Sequence, residues 1–334
     1  KNNMAKKTSL LEERIVYKPF EYQTAFDFWL AQQQAHWLHT EVPMMSDVND
    51  WKQNLSETEK NIIGSILKGF AQTETVVEEY WSTLVTKWFP KPEIKMMAIG
   101  FGANETIHAE AYSLLNEELG LDDFSEFLED ETTMAKIGGL MEVNADMQTG
   151  EHSLHEIARS LAIFSAFTEG VNLFSSFAIL LSFKLDNKLK GVGQIVEWSV
   201  RDESLHSKMG CKLFRHMCEE DDQLLHLCRE DIIKAAETMV SLETNYINKM
   251  FEMGDIEGIS ANDLKHFIKK RTNEKLVELG YVDLGNYFAY DEKAAANLDW
   301  FYHLTGGVTH TDFFALRPTD YSKAGEGENF EDIW

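Results

Sequence analysis

Two short runs, Glu105-Thr-Ile-His108 and Glu203-Ser-Leu-His206, combine residue types and a spacing that suit a metal ion. On a helix, side chains three residues apart share one face with their Cβ atoms about 5–6 Å apart, close enough for a carboxylate and an imidazole to hold one cation. Glu105 and His108 fall on a stripe running Met97, Phe101, Glu105, His108, Tyr112, Leu115, Leu119, each three or four residues after the last. Most of that stripe is large and apolar, so it should face a core, and a carboxylate buried there needs a partner. A single Glu-x-x-His is expected by chance and would read as an amphipathic helix with a satisfied core histidine. The repetition changes that reading: of eleven histidines, only His108 and His206 follow a Glu by three positions. Tyr112 lies one turn past His108, about 6 Å further along the axis, which sets its ring beside such an ion.

Two further glutamates complete the pattern. Glu74 lies on the apolar stripe Ile63, Leu67, Phe70, Glu74, Val77 and so points inward. Glu169 is surrounded by Phe164, Ala166, Phe167, Val171, Leu173 and Phe174. The chain therefore reads Glu74, then Glu105-x-x-His108, then Glu169, then Glu203-x-x-His206. Four carboxylates and two imidazoles suit iron or manganese, whereas zinc sites usually hold one ion with fewer ligands. Four negative charges balance two divalent ions, which explains how four glutamates can share a core. This is the arrangement of ferritin-like di-iron and di-manganese carboxylate proteins. The expected fold is all-α, a ferritin-like helical bundle with a dinuclear metal carboxylate site in its core.

The elements that must position these residues are helices. Only five prolines occur, none between Pro92 and Pro318, and no strand-like alternation fills that interval. A first helix is expected over 20–39, ending in an aromatic and histidine cluster around Trp37. Ser56-Glu-Thr-Glu59 forms a capping box that opens a long helix to about Trp88. Pro90 and Pro92 break it, and the Glu105 helix follows to Gly120. Asp122 and Asp123 cap a helix to about Met147. The most apolar run, 160–183, is long enough for a membrane span. Glu169 and Asn172 near its middle, with no second such run, make it a buried central helix instead. The Glu203 helix then runs to about Glu220, another reaches the Gly254–Gly258 break, and two more close the domain near Leu304.

Composition bounds the rest. The 334 residues suffice for one large helical domain or two ordinary ones, and 44% are hydrophobic, so a substantial core is available. A net charge of −25 argues against nucleic acid or an anionic membrane as partner. Cys211, Cys218 and Cys228 form no Cys-x-x-Cys pair, which fits a reduced, cytoplasmic setting. Lys1-Asn-Asn before Met4 reads as a remnant or a truncation point, with an upstream domain left open, and is set outside the fold. The expected organisation is an N-terminal arm (1–19), a helical domain (20–305) and a flexible tail (306–334). The tail is polar and acidic yet ends in Phe330, Ile333 and Trp334, the pattern of a docking peptide.

At these residues the chain closely resembles the radical-generating small subunit of class I ribonucleotide reductase, from about Phe20 to the tail. The resemblance implies metal ligands at Glu74, Glu105, His108, Glu169, Glu203 and His206, and a radical tyrosine at Tyr112. Arg201-Asp202-Glu203-Ser-Leu-His206 is similar to the family's Arg-Asp-Glu-x-x-His run, whose Asp links the first metal-bound histidine to a tryptophan near the surface. Here those residues are Asp202, His108 and Trp37. Asp320-Tyr321-Ser322, after Phe313, Phe314 and Arg317, resembles the segment whose tyrosine relays the radical between subunits. The residues beyond it resemble the peptide that docks on the large subunit. The implied function is to store an oxidising equivalent at a dinuclear site and pass it to the large subunit for reduction of ribonucleotides, the implied state a homodimer.

Two positions depart from the iron–tyrosyl members. Glu74 stands where they carry Asp, and Ser199 where they have an apolar residue lining the tyrosine pocket. Glu at the first position is similar to subclasses with manganese-containing centres, so a manganese oxidant (Mn/Mn or Mn/Fe) with a bystander Tyr112 is expected ahead of Fe/Fe with a tyrosyl radical. Alternatives are a ferritin-like ligand-binding oxidase or monooxygenase, which needs an apolar substrate channel, and metal storage. Neither has a use for Tyr321 and an aromatic tail.

Overall fold

A computed structural model describes residues 8–305, apart from 122 and 124. The predicted tail, with Tyr321, Phe330 and Trp334, lies outside the described residues. Helix α1 spans Gln23–Gln34 and α2 Met45–Gln53, with a 3-10 turn at His39–Glu41 between them. Ser56 opens α3 (Glu57–Glu79): its hydroxyl accepts from Glu59 N–H, and the Glu59 carboxylate accepts from Ser56 N–H. A π-helical segment at Tyr80–Val85 and a short α4 (Thr86–Trp88) carry that rod to Pro90. Pro92 starts α5 (Pro92–Glu118), where its missing N–H costs nothing.

Helices α6 (Ser125–Glu129) and α7 (Glu131–Gln148) follow, then α8 (Leu154–Ile163), opened by a second capping box of Ser153 and Glu156. A second π-helical segment, Phe164–Thr168, separates α8 from α9 (Phe174–Leu185). The long α10 (Lys190–Glu220) and α11 (Leu224–Glu252) are succeeded by α12 (Ala261–Glu278), α13 (Glu292–Ala296) and α14 (Asp299–Leu304). Gly254 and Gly258 adopt positive φ (130° and 81°) and make the predicted break after α11. Among the described residues the sole β feature is an isolated bridge between Ile256 and Ile259.

The architecture is thus all-α, as expected. Helix α3 packs along α5, which is flanked on another side by α1; α10 lies against α8, α9 and the second π segment, with α11 and α12 outside them. One continuous apolar core joins these helices. No described helix is long and apolar enough to cross a membrane.

Three expectations differ in detail. The first helix stops at Gln34, not 39, because Trp37 turns into the core and is fully buried. The intervening helix α2 was not anticipated. The apolar run 160–183 is not one helix: Glu169 N–H reaches back to Phe164 O and Asn172 N–H to Phe167 O, five-residue spacings that widen the turn around Glu169.

Candidate metal centre

Glu74 comes from α3, Glu105 and His108 from α5, Glu169 from the end of the second π segment, and Glu203 and His206 from α10. The packing brings all six together, and none is more than 2% exposed. Their ligand atoms form two overlapping groups, Glu74–Glu105–His108–Glu203 and Glu105–Glu169–Glu203–His206, each within 4.8 Å. Glu105 and Glu203 belong to both groups, so they sit between two positions, with Glu74 and His108 on one side and Glu169 and His206 on the other. His108 Nδ1 lies 3.0 Å from Glu105, 3.1 Å from Glu203 and 3.8 Å from Glu74. His206 Nδ1 lies 2.7 Å from Glu105 and 3.0 Å from Glu169.

The donor set fits a pair of cations. Both Glu74 oxygens, Glu105 Oε2 and Glu169 Oε1 are buried without a hydrogen-bond donor among the described residues. Uncompensated carboxylates at such depth are costly, and ions supply what the protein does not. Burial, followed by the charges of Glu169 and Glu74, pushes the Glu105 carboxyl well above its ordinary range. Burial, then Glu105, Glu169 and Glu74, does the same to Glu203. For His108, burial opposes the charged form, but Glu105 and the hydrogen bond to Asp202 outweigh it and raise the imidazole well above its ordinary value. Protonated forms of Glu105, Glu203 and His108 are therefore favoured when no ion is bound.

Both histidines are aimed from behind. His108 Nε2–H donates to Asp202 Oδ2 at 2.9 Å, and Trp37 Nε1–H donates to the same oxygen at 2.8 Å. The Trp37 ring stacks on His108 with centroids 5.7 Å apart. Burial of Asp202 is outweighed by His108, Arg201 and Trp37, which hold its carboxyl at about 2. This bond leaves His108 Nδ1 facing the cluster, the usual way an outer carboxylate orients a ligating imidazole. Trp37 itself is fully buried within this chain, in contrast to the near-surface tryptophan that the resemblance implied.

Sequence reasoning missed three residues here. Gln32 Oε1 accepts from His206 Nε2–H at 2.6 Å while its amide donates to Asp202 Oδ1 at 3.2 Å, so one side chain from α1 joins the rear of both histidines. Asn104 adds a donor to Asp202 at 3.2 Å, and Trp81 Nε1–H points at Glu169 Oε2 at 3.4 Å. The sole available signal was that Gln32 and Asn104 are polar positions on otherwise inward faces. Tyr112 is fully buried, and its hydroxyl donates to Ser199 Oγ at 2.7 Å, which in turn donates to Ile195 O. Phe70 packs on the Tyr112 ring at 4.8 Å and Phe177 on Phe70 at 5.2 Å, while burial drives the phenol pKa far upward. Tyr321 lies outside the described residues.

The family model for the ribonucleotide reductase small chain matches residues 14–287. The chain belongs to that family. Over 98% of its length the chain is 34% identical to a probable ribonucleoside-diphosphate reductase small subunit of Invertebrate iridescent virus 6, 99% of which is covered. Among solved structures it resembles a ribonucleotide reductase subunit from Clostridium botulinum (TM-score 0.74, 18% identity, covering 85% of this chain and 88% of that one). It also resembles the dimanganese(II) NrdF protein of Streptococcus sanguinis (TM-score 0.71, 21% identity, covering 88% and 99%). At such identities these likenesses speak for the fold alone, and they identify the bundle as ferritin-like.

Proposed function

We propose that this chain is the radical-generating subunit of a ribonucleoside-diphosphate reductase, holding an oxidising equivalent at Glu74, Glu105, His108, Glu169, Glu203 and His206 and releasing it to a large subunit. The observation that carries the reading is the double cage of four glutamates and two histidines, with donor-free carboxylate oxygens turned inward. Bound there, a pair of redox-active ions supplies the one-electron oxidising power. The chain's own residues do the rest. Asp202 holds the tautomer of His108 and accepts from Trp37, so an electron leaving Trp37 has a carboxylate at its indole N–H. Phe70 and Phe177 wall Tyr112 off from water without making it the store of the oxidising equivalent.

Manganese, as Mn/Mn or Mn/Fe, is favoured over Fe/Fe. Glu74 is one methylene longer than the aspartate of iron–tyrosyl members and, with Glu105, His108 and Glu203, would hold an ion with a longer reach. Ser199 places a hydroxyl on the Tyr112 oxygen, where a long-lived tyrosyl radical calls for a dry apolar pocket. Tyr112 then acts as a bystander. The 306–334 tail docks on the large subunit and Tyr321 relays the radical between the two. The working form is a cytoplasmic homodimer.

A ligand-binding oxidase is the alternative on this scaffold, and one feature speaks to it. A cavity of about 210 Å³ lies among Val76, Phe164, Phe167, Thr168, Met239 and Leu242. None of the six metal-facing residues lines it, which speaks against its being a substrate channel to them.

Metal analysis with electron paramagnetic resonance on activated protein tests the proposal. Two ions per chain and a multiline manganese signal are expected; a stable tyrosyl signal that vanishes with activity in Tyr112→Phe would establish iron–tyrosyl chemistry instead. For the relay, Tyr321→Phe should bind the large subunit normally and not turn over, since Phe has no phenolic proton to release. Full turnover by that variant rules the relay out.

A further inference from the structure

The two π-helical segments meet and build something the Trp37 side of the centre does not use. A π turn carries one residue more than an α turn, which lets neighbours in sequence both face inward. In the first segment Tyr80 and Trp81 are consecutive and both fully buried. In the second, Phe164 stacks flat on Tyr80, centroids 3.7 Å apart and planes 17° apart. Trp81 reaches the centre: its indole N–H points at Glu169 Oε2, and its ring lies 6.1 Å from the His206 imidazole. On the other side the Tyr80 ring is 6.3 Å from Trp81 and 5.9 Å from Trp88, which is 8% exposed and lies just before Pro90. An unbroken run of aromatic rings thus leads from Glu169 and His206 outward, while Trp37 and Asp202 attach to His108.

We propose that Trp81 and Trp88, bridged by the Tyr80 ring, form a second electron route that brings single electrons from Trp88, a buried ring with only its edge open to solvent, to the Glu169–His206 side of the centre. This rests on the dinuclear reading above. The stopping points are the two indoles, which lose an electron without having to lose a proton. Tyr80 is a bridge: its hydroxyl pairs with the Ser160 hydroxyl at 3.0 Å, and burial pushes its pKa up, so no base stands ready to take a phenolic proton. Each transfer balances simply. Trp81 gives one electron to the oxidised centre, Trp88 gives one to Trp81, and a one-electron reductant of the viologen or reduced-flavin class gives one to Trp88. No bond is made or broken, and the Trp81 N–H proton stays on nitrogen, its transient positive charge facing the Glu169 carboxylate.

The test is anaerobic stopped-flow reduction of oxidised, metal-loaded protein by methyl viologen radical, followed by the absorbance of the centre. Metal content is measured first. Trp88→Phe, far enough from Glu169 to leave metal content at the wild-type level, should slow reduction about tenfold, and Trp81→Phe at least as much. Trp37→Phe should be reduced at the wild-type rate. Nucleotide reduction with the large subunit should divide the other way, lost in Trp37→Phe and kept in Trp88→Phe. Wild-type reduction rates in a Trp88→Phe protein holding two ions overturn the route. Failure of the wild-type protein to bind two ions overturns the dinuclear reading instead, and the route with it.

Discussion

At the scale of single residues, Glu203 shows how metal-free stability and metal binding oppose each other. Burial and three carboxylate neighbours hold it well above the ordinary carboxylate range, so the fold favours its protonated form. A carboxyl raised in this way contributes its stability below the unfolded value and loses it as pH rises through the folded one. Glu203→Gln carries no such charge. At mildly alkaline pH the metal-free variant should be more stable than wild type by about 1–3 kcal/mol, with the difference vanishing in acid. With manganese present the order should reverse, because the amide withdraws one of four balancing charges. Thermal melts with and without metal at both pH values check each sign. Glu169→Ala should lose metal outright. Tyr112→Phe should be mild: Ser199 keeps its bond to Ile195 O, so the loss is about 0.5–1.5 kcal/mol and a substantial part of the activity remains.

Among the elements, the contact between α10 and the second π segment sets where Glu169 sits. Gly210 on α10 faces Ser165, and a methyl group at that glycine would come within 2.5 Å of the Ser165 Cβ. Gly210→Ala should therefore cost about 1–3 kcal/mol and weaken metal binding by displacing Glu169, as denaturant melts and manganese titration would report. The N-terminal arm is held by charge: Lys91 is fully buried and pairs with Glu21 at 2.7 Å, and Arg14 grips Glu93. Burial raises Glu21, but hydrogen bonds from Lys91 and Thr8 outweigh it and hold the carboxyl at about 2. Its contribution is present above the unfolded value of 4.5 and is lost as pH falls toward 2. Hydrogen exchange over residues 8–22 should accelerate across that window in wild type, and Glu21→Gln should exchange fast even at neutral pH.

For the whole molecule, storage and delivery of the oxidant are expected to be separable. The six metal-facing residues lie within the helical bundle, whereas Tyr321 and the aromatic terminus follow it in the chain. Removing the residues after Arg317 should leave metal content and melting temperature unchanged and abolish nucleotide reduction with the large subunit. Measuring all three on one preparation distinguishes a docking role from a folding one.

The clustering of Glu105 with His108 and of Glu203 with His206 was legible because a Glu and a His three apart on a helix share a face wherever that helix goes. Capping at Ser56 and the breaks at Pro90, Pro92 and Gly254 are equally local, and they put α3, α5 and α11 where expected. Asp202 and Trp37 were legible only through the resemblance to a known family, since nothing in their spacing links residues 165 positions apart. Gln32 showed only as a polar position on an inward face; its role emerges once packing sets α1 beside α10 and places its amide between His206 and Asp202. The π turns at Tyr80 and Phe164 left no mark, because a widened turn is strained locally and persists through the tertiary contacts it makes. Local geometry determined which side chains could bind metal, and long-range packing decided what stands behind them and which rings lead away.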